Sequence, residues 1–119
     1  ETTKGCGKIK LILAFNYGSR NEICRAVKKM LEDYDLHQLK KEEINEDTIS
    51  HYLDTHDWRD PELLIRTSGE LRVSNFLLWQ ISYAEIHVAP VLWPDFTPQH
   101  LIEAIADYQS RERRWGGAT

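Results

Sequence analysis

Residues 8–16, KIKLILAFN, constrain this chain more than any other stretch. The run is apolar almost without interruption and rich in Ile and Leu. A strand with one wet face would alternate polar and apolar side chains, so this one reads as a strand buried on both faces, as in a parallel sheet. Leu63-Leu64-Ile65 reads as a short second strand. Ile86 to Leu92 reads as a third, closed by Trp93-Pro94-Asp95. Strands that alternate with helical periodicity point to an α/β fold, a parallel sheet flanked by helices. Yet only three strands are found, and the first and third look fully buried. Three strands leave two long edges and cannot cover both faces of each strand. The sheet is expected to continue in residues outside this chain or in a partner chain.

Helical spacing fills the intervals. Ile23, Val27, Met30, Leu31 and Tyr34 predict an amphipathic helix to about residue 34, capped by Ser19 or Asn21 after the turn Tyr17-Gly18-Ser19. Ile44, Thr48, Ile49, Tyr52 and Leu53 mark a second helix, and DTHDWRDP a loop ended by Pro61. SNFLLWQISYA, residues 74–84, is apolar on nearly every side and predicts a buried helix. Thr97 and Pro98 suit the cap and first position of a last helix. Its core face is Leu101, Ile102, Ile105 and Tyr108, with Gln109 at the margin, and the cations of RERR lie at its end. The chain opens ETTKGCGKIK without an initiator Met, as a processed, tagged or shortened chain would.

At 119 residues there is room for one domain at most. The formal charge of -4 argues against broad nucleic-acid binding, which needs a surplus of clustered Lys and Arg. Any anion site must be local. No stretch approaches the roughly 20 apolar residues that span a bilayer, and no leader pattern is seen, so a soluble, cytoplasmic protein is expected. Cys6 and Cys24 read as two free thiols, Cys24 packing on a helix face. His51 and His56 form no site, and Trp79, Trp93 and Trp115 read as packing residues.

Chemistry concentrates in LLIRTSGELRVSNFLLWQISYAE, Leu63 to Glu85. Arg66 ends a strand, the position where open α/β sheets bind ligands. Arg72 and Ser74 follow, Ser74 at the start of the expected helix. Two guanidiniums, a hydroxyl and the amides of a helix start would suit a diphosphate. Ser68 and Gly69 would let the backbone bend toward it. Spacing alone favours a plainer account: solvated arginines or arginines paired with Glu70, and Ser74 as a helix cap. Glu85 lies between apolar segments, where a carboxylate calls for a partner such as Mg²⁺; alone it reads as a surface residue at a helix end.

The string DPELLIRTSGELRVSNFLLWQISYAE, then VLWPDF and RERRWGG, resembles the carboxyl-terminal region of cis-prenyltransferases of the undecaprenyl diphosphate synthase kind. FNYGSR is similar to that family's NYGGR segment, and the likeness runs in order from about Ile12 to Gly117. The resemblance implies that Arg66, Arg72 and Ser74 bind the diphosphate of isopentenyl diphosphate, with the backbone of Val73 lining the site. It implies that Glu85 ligates Mg²⁺. Arg114 and Gly116, of the Arg-x-Gly pattern, would reach the same pocket across a homodimer interface. Leu71 departs from the pattern, standing where bacterial members often carry a His near the metal. The implied reaction joins isopentenyl diphosphate to an allylic diphosphate such as farnesyl diphosphate, giving a long-chain cis-polyprenyl diphosphate, a membrane-directed lipid. The implied location is cytoplasmic, with peripheral contact to the membrane. The family's catalytic Asp lies in a DGNGRW-type motif that does not occur in these residues, so an amino-terminal half is expected elsewhere and the chain alone is expected to be inactive. The alternative is a non-catalytic scaffold subunit of a prenyltransferase complex.

Overall fold

The computed structural model describes residues 9–111. Cys6, Lys8, Arg114, Trp115 and Gly116 lie outside the described residues. In chain order the elements are α1 (Ser19–Asp35), α2 (Glu46–Tyr52), β1 (Leu63–Arg66), β2 (Glu85–Val88) and α3 (Pro98–Ser110). β1 and β2 pair in parallel, Leu63 opposite Glu85 and Arg66 opposite Val88. The α/β class and the parallel pairing agree with the sequence.

Helix α1 starts in a way the sequence did not suggest. Its cap position is Gly18, which has no side chain to offer. Asn75 caps it from a distance: its carbonyl accepts from the Ser19 amide at 2.8 Å and its Oδ1 from the Arg20 amide at 3.0 Å. A Cβ on Gly18 would stand 2.9 Å from Asn75 Nδ2, so glycine is what lets the two segments close. Ser19 instead accepts from the Leu78 amide at 2.9 Å, and Asn21 from Arg25 Nε at 2.8 Å. The helix ends where His37 turns left-handed at φ 61°. Asn45 caps α2 through the Thr48 amide at 2.9 Å. Thr97 caps α3, with Pro98 inside its first turn, as the sequence predicts.

Three expectations are corrected. Residues 9–14 carry no strand pairing, and their apolar side chains face water: Ile9 is 84% exposed, Leu11 80%, Leu13 66% and Phe15 81%. The described sheet has two strands only, and no described strand pairs with this run. Residues 74–84 form successive turns rather than a helix. Ser74, Asn75 and Leu77 have φ of 53°, 61° and 46°, in the left-handed region that breaks a right-handed helix. The third strand stops at Val88; beyond it the Ala89 and Val91 carbonyls accept from the Gly69 and Ser68 amides at 2.9 and 2.7 Å.

Among the described residues the buried apolar ones are few: Ala26, Leu39, Leu53, Ala89 and Ala104. On α1 the buried residues are Ser19, Glu22 and Ala26, while Val27, Leu31 and Tyr34 are exposed. On α3 only Ala104 is buried, and Leu101, Ile102 and Ile105 are exposed. Cys24 is exposed rather than packed, and Trp93 is exposed, stacked on Phe96 with ring centroids 5.5 Å apart. Helices α1 and α3 carry the apolar faces that the sequence predicts, and the described residues leave those two faces largely open, whereas the face of α2 ends on the buried Leu53.

Candidate functional site

The loop after β1 is shaped by its backbone first. Ser68 and Gly69 both take φ of 66°, and their amides are spent on the β2 side of the sheet. The loop bends as expected, but these amides are not free for a ligand. The bend returns the chain so that Arg66 and Arg72 converge on one carboxylate. Arg66 Nη2 lies 3.7 Å from Glu70 Oε2, and Arg72 Nη2 is in contact with the same oxygen. Arg66 is half-buried at the strand end, whereas the Arg72 side chain is 73% exposed. The pairing with Glu70 that spacing alone favoured is thus present, and it sets two guanidiniums about a single anionic position. Ser74 is exposed and left-handed, and no helix starts there, so the expected helix-start amides do not contribute. Val73 is half-buried, its carbonyl accepting from the Phe76 amide at 3.2 Å. Leu71 points into solvent.

Glu85 does not join this group within one chain. It opens β2 opposite Leu63, while Arg66 closes β1 opposite Val88. Three residue steps separate the two ends, about 10 Å along the sheet. Glu85 instead sits with Arg111, Asp107 and His87 between β2 and α3. Arg111 Nη1 is 3.3 Å from Glu85 Oε2 and donates to the Ile86 carbonyl at 2.8 Å, while Nη2 is 2.5 Å from Asp107 Oδ2. His87 Nδ1 is 2.9 Å from that Asp107 oxygen. The His87 and Arg111 hydrogen bonds hold the Asp107 carboxyl below its usual range. Among the described residues no group of three or more His, Cys, Asp or Glu side chains is placed to hold a metal. Glu85 therefore suits an ion only as a single carboxylate, the rest coming from ligand oxygens and water.

The most buried charged group among the described residues is one the sequence did not flag. Glu22 is 1% exposed on the inner face of α1. It accepts from the Tyr17 hydroxyl, from the Asp54 amide at 2.8 Å, and from Gln80 Nε2 at 3.2 and 3.3 Å. Gln80 also donates to Thr55 Oγ1 at 3.0 Å. Burial and the Glu22 hydrogen bond push the Tyr17 phenol up to about 12. The carboxylate thus ties the 74–84 turns, which follow the arginine loop, to α1 and to the turn after α2. A usable signal existed: Ser19, Glu22 and Ala26 share one helix face, where small residues allow close approach. The larger Ile23–Val27–Tyr34 stripe drew the reading away from it.

Beside this hub lies a cavity of about 500 Å³. Its walls include Ile12, Leu13, Phe15, Trp58, Phe76 and Leu77, with Gln80 at its polar corner. Gln80 Oε1 is buried and has no hydrogen-bond partner among the described residues. No helix among the described residues is long and apolar enough to cross a membrane.

Comparison with known proteins places these features in a wider setting. Residues 1–116 match the model of a family described as "Putative undecaprenyl diphosphate synthase". An isoprenyl transferase of Geobacillus kaustophilus is 54% identical over the whole chain, which spans 46% of that protein. One of Chlamydia muridarum is 56% identical over 91% of the chain and 43% of its own length. Among solved structures, lavandulyl diphosphate synthase from Lavandula x intermedia, in complex with dimethylallyl diphosphate, superposes with a TM-score of 0.85 at 39% identity, covering 88% of this chain and 45% of that one. A probable undecaprenyl diphosphate synthase from Campylobacter jejuni gives 0.72 at 38% identity, covering 87% and 46%. The chain thus spans a little under half the length of the proteins it matches.

Proposed function

The chain belongs to the undecaprenyl diphosphate synthase family, and from that premise we propose that it is the carboxyl-terminal portion of a cis-prenyltransferase. The longer protein condenses isopentenyl diphosphate with an allylic diphosphate such as farnesyl diphosphate. Its product is a long-chain cis-polyprenyl diphosphate, the undecaprenyl carrier used in cell-wall synthesis. One observation carries the reading: Arg66 and Arg72 converge on a single anionic position at the carboxyl end of a parallel strand. Glu70 occupies that position with one negative charge. A diphosphate brings more charge and more acceptors, so it competes well for the same donors. The dimethylallyl diphosphate bound by the lavender relative supports a short prenyl diphosphate as the ligand class.

In this reading Arg66 and Arg72 grip the diphosphate of isopentenyl diphosphate, with Val73 and Ser74 beside it. Arg114 and Gly116 complete the pocket across a homodimer. The alkene of the bound five-carbon unit then attacks the allylic carbon as the allylic diphosphate leaves, and the proton lost from the new chain passes to the released diphosphate. The arginines orient the attacking unit and keep its own diphosphate charge compensated. Glu85, at the other end of the strand pair from Arg66, would offer Mg²⁺ one carboxylate, and the ion would supply positive charge to neutralise a diphosphate. The site works from the cytoplasmic side, and its product passes to the membrane.

Calorimetric titration of the longer protein with isopentenyl diphosphate, with and without Mg²⁺, tests the assignment. A charge-assisted hydrogen bond contributes about 1.5–3 kcal/mol, so Arg66→Ala and Arg72→Ala should each weaken binding roughly ten- to a hundred-fold. Parent-like affinity in both variants rules the site out. The 119-residue chain by itself is expected to make no long-chain product from farnesyl and isopentenyl diphosphates. Turnover like that of full-length relatives would contradict this.

A further inference from the structure

We propose that Glu70 is a tethered competitor for the diphosphate: its carboxylate holds Arg66 and Arg72 together, turns aside when the ligand arrives, and returns as the ligand leaves. The proposal rests on the reading of this loop as the isopentenyl diphosphate site. It adds to that site a residue whose charge weakens binding and speeds release.

Three observations carry it. The first is that both guanidiniums address one oxygen, Arg66 Nη2 at 3.7 Å from Glu70 Oε2 and Arg72 Nη2 in contact with it. An oxygen shared by two guanidiniums is also what a phosphate oxygen would be between them, so carboxylate and ligand want the same place. Among the described residues no other carboxylate pairs with either guanidinium. The second is that the backbone presenting these side chains is pinned. The Ser68 and Gly69 amides donate to the Val91 and Ala89 carbonyls at 2.7 and 2.9 Å, and β1 stays paired with β2 as far as Arg66. Glu70 can therefore give way by rotating its side chain, with no movement of the loop. The third is solvation. The Glu70 side chain is 33% exposed, so its carboxylate has water to turn into and strands no charge when it leaves.

Exposure also sets the size of the effect. Ion pairs this open to water are weak, so the carboxylate sits between the arginines for only part of the time. A ligand that binds the open form alone loses affinity by the fraction of time the site is open. Across the ordinary range for exposed pairs that fraction runs from about one half to about one sixth. Removing the charge should thus tighten binding about two- to sixfold. If Glu70 were only a strut that aligns the arginines, the sign would be the opposite.

The test titrates the longer protein with inorganic pyrophosphate and with isopentenyl diphosphate at fixed Mg²⁺, as the parent and as Glu70→Gln. Glutamine keeps the length and the carbonyl acceptor and removes only the charge. Both ligands should bind about two- to sixfold more tightly to the variant, and rapid mixing should show slower release. In an Arg72→Ala background the gain should shrink, because the closer of the two partners is gone. Equal or weaker binding to Glu70→Gln overturns the proposal. So does a gain confined to isopentenyl diphosphate, which would put Glu70 against the five-carbon tail. The parent alone gives a second readout: pyrophosphate should move the Glu70 carboxyl carbon resonance toward that of a solvated glutamate, and an unmoved resonance overturns the proposal even where the variant misfolds. Loss of binding in Arg66→Ala with no gain in Glu70→Gln removes the competitor and leaves the site standing. Parent-like binding in both arginine variants removes the two readings together.

Discussion

At the scale of single residues, Glu22 and the arginine pair behave oppositely because their solvation differs. Glu22 lies out of water and answers three donors, so removing it strands the Tyr17 hydroxyl, the Gln80 amide and the Asp54 amide together. A buried group left unsatisfied costs about 1–3 kcal/mol, and some donors will find water. Glu22→Ala should therefore destabilise the chain by roughly 2–4 kcal/mol in urea unfolding. Arg72 is mostly in water, so its contact with Glu70 adds little to stability. Arg72→Ala should leave the unfolding midpoint nearly unchanged while weakening diphosphate binding. A functional residue and a structural one are thus separable by which measurement each moves.

At the scale of elements, the start of α1 depends on a residue fifty-five positions away. Asn75 caps the helix only because Gly18 lets it approach. Asn75→Ala should cost about 1 kcal/mol, the usual size of a lost cap. Gly18→Ala should cost a similar amount by pushing the Asn75 side chain aside, since its own φ of -144° suits any residue. The double variant should cost clearly less than the sum, because both changes remove one interaction. A double-mutant cycle in thermal or urea unfolding checks this, and full additivity would show that the cap and the glycine are unrelated. The same contact explains why 74–84 is not a helix. Its backbone is turned outward to reach α1, and Trp79 Nε1 is held by Ser50 Oγ at 2.9 Å.

At the scale of the whole molecule, pH stability follows from groups that hold separate elements together. Arg25 depresses Asp54, joining α1 to the turn after α2, and His87 with Arg111 depresses Asp107, joining α3 to β2. A carboxyl with a lowered folded pKa contributes stability above its unfolded value, ordinarily 3.8, and that stability is lost as pH falls through the folded value. Stability should therefore drop below about pH 4, and Asp54→Asn or Asp107→Asn should flatten that slope. At the alkaline end the sign is reversed. Tyr52, through its Asp33 hydrogen bond, and Tyr17, through burial and Glu22, are both raised to about 12 from the ordinary 10. Their contribution is present below 10 and lost as pH rises through 12, so Tyr52→Phe should flatten the unfolding free energy over that window. Among the described residues the buried apolar core, Ala26, Leu39, Leu53, Ala89 and Ala104, is small.

The sequence by itself determined the α/β class, the parallel relation of β1 and β2, the cap of α3 and the loop that carries Arg66 and Arg72. Each of these is set by neighbours in the chain: a hydrophobic period, a cap residue, a strand end followed by Gly69. It also showed that three strands could not close a sheet. What only the tertiary structure decided is held by contacts across long separations. Glu22 became the polar hub because residues 54 and 80 meet it, Asn75 became a helix cap, and residues 74–84 gave up their helical period to reach α1. The placement of Glu85 at the far end of the sheet from Arg66 belongs here too, because strand register, and not spacing in the chain, fixes which side chains share an edge.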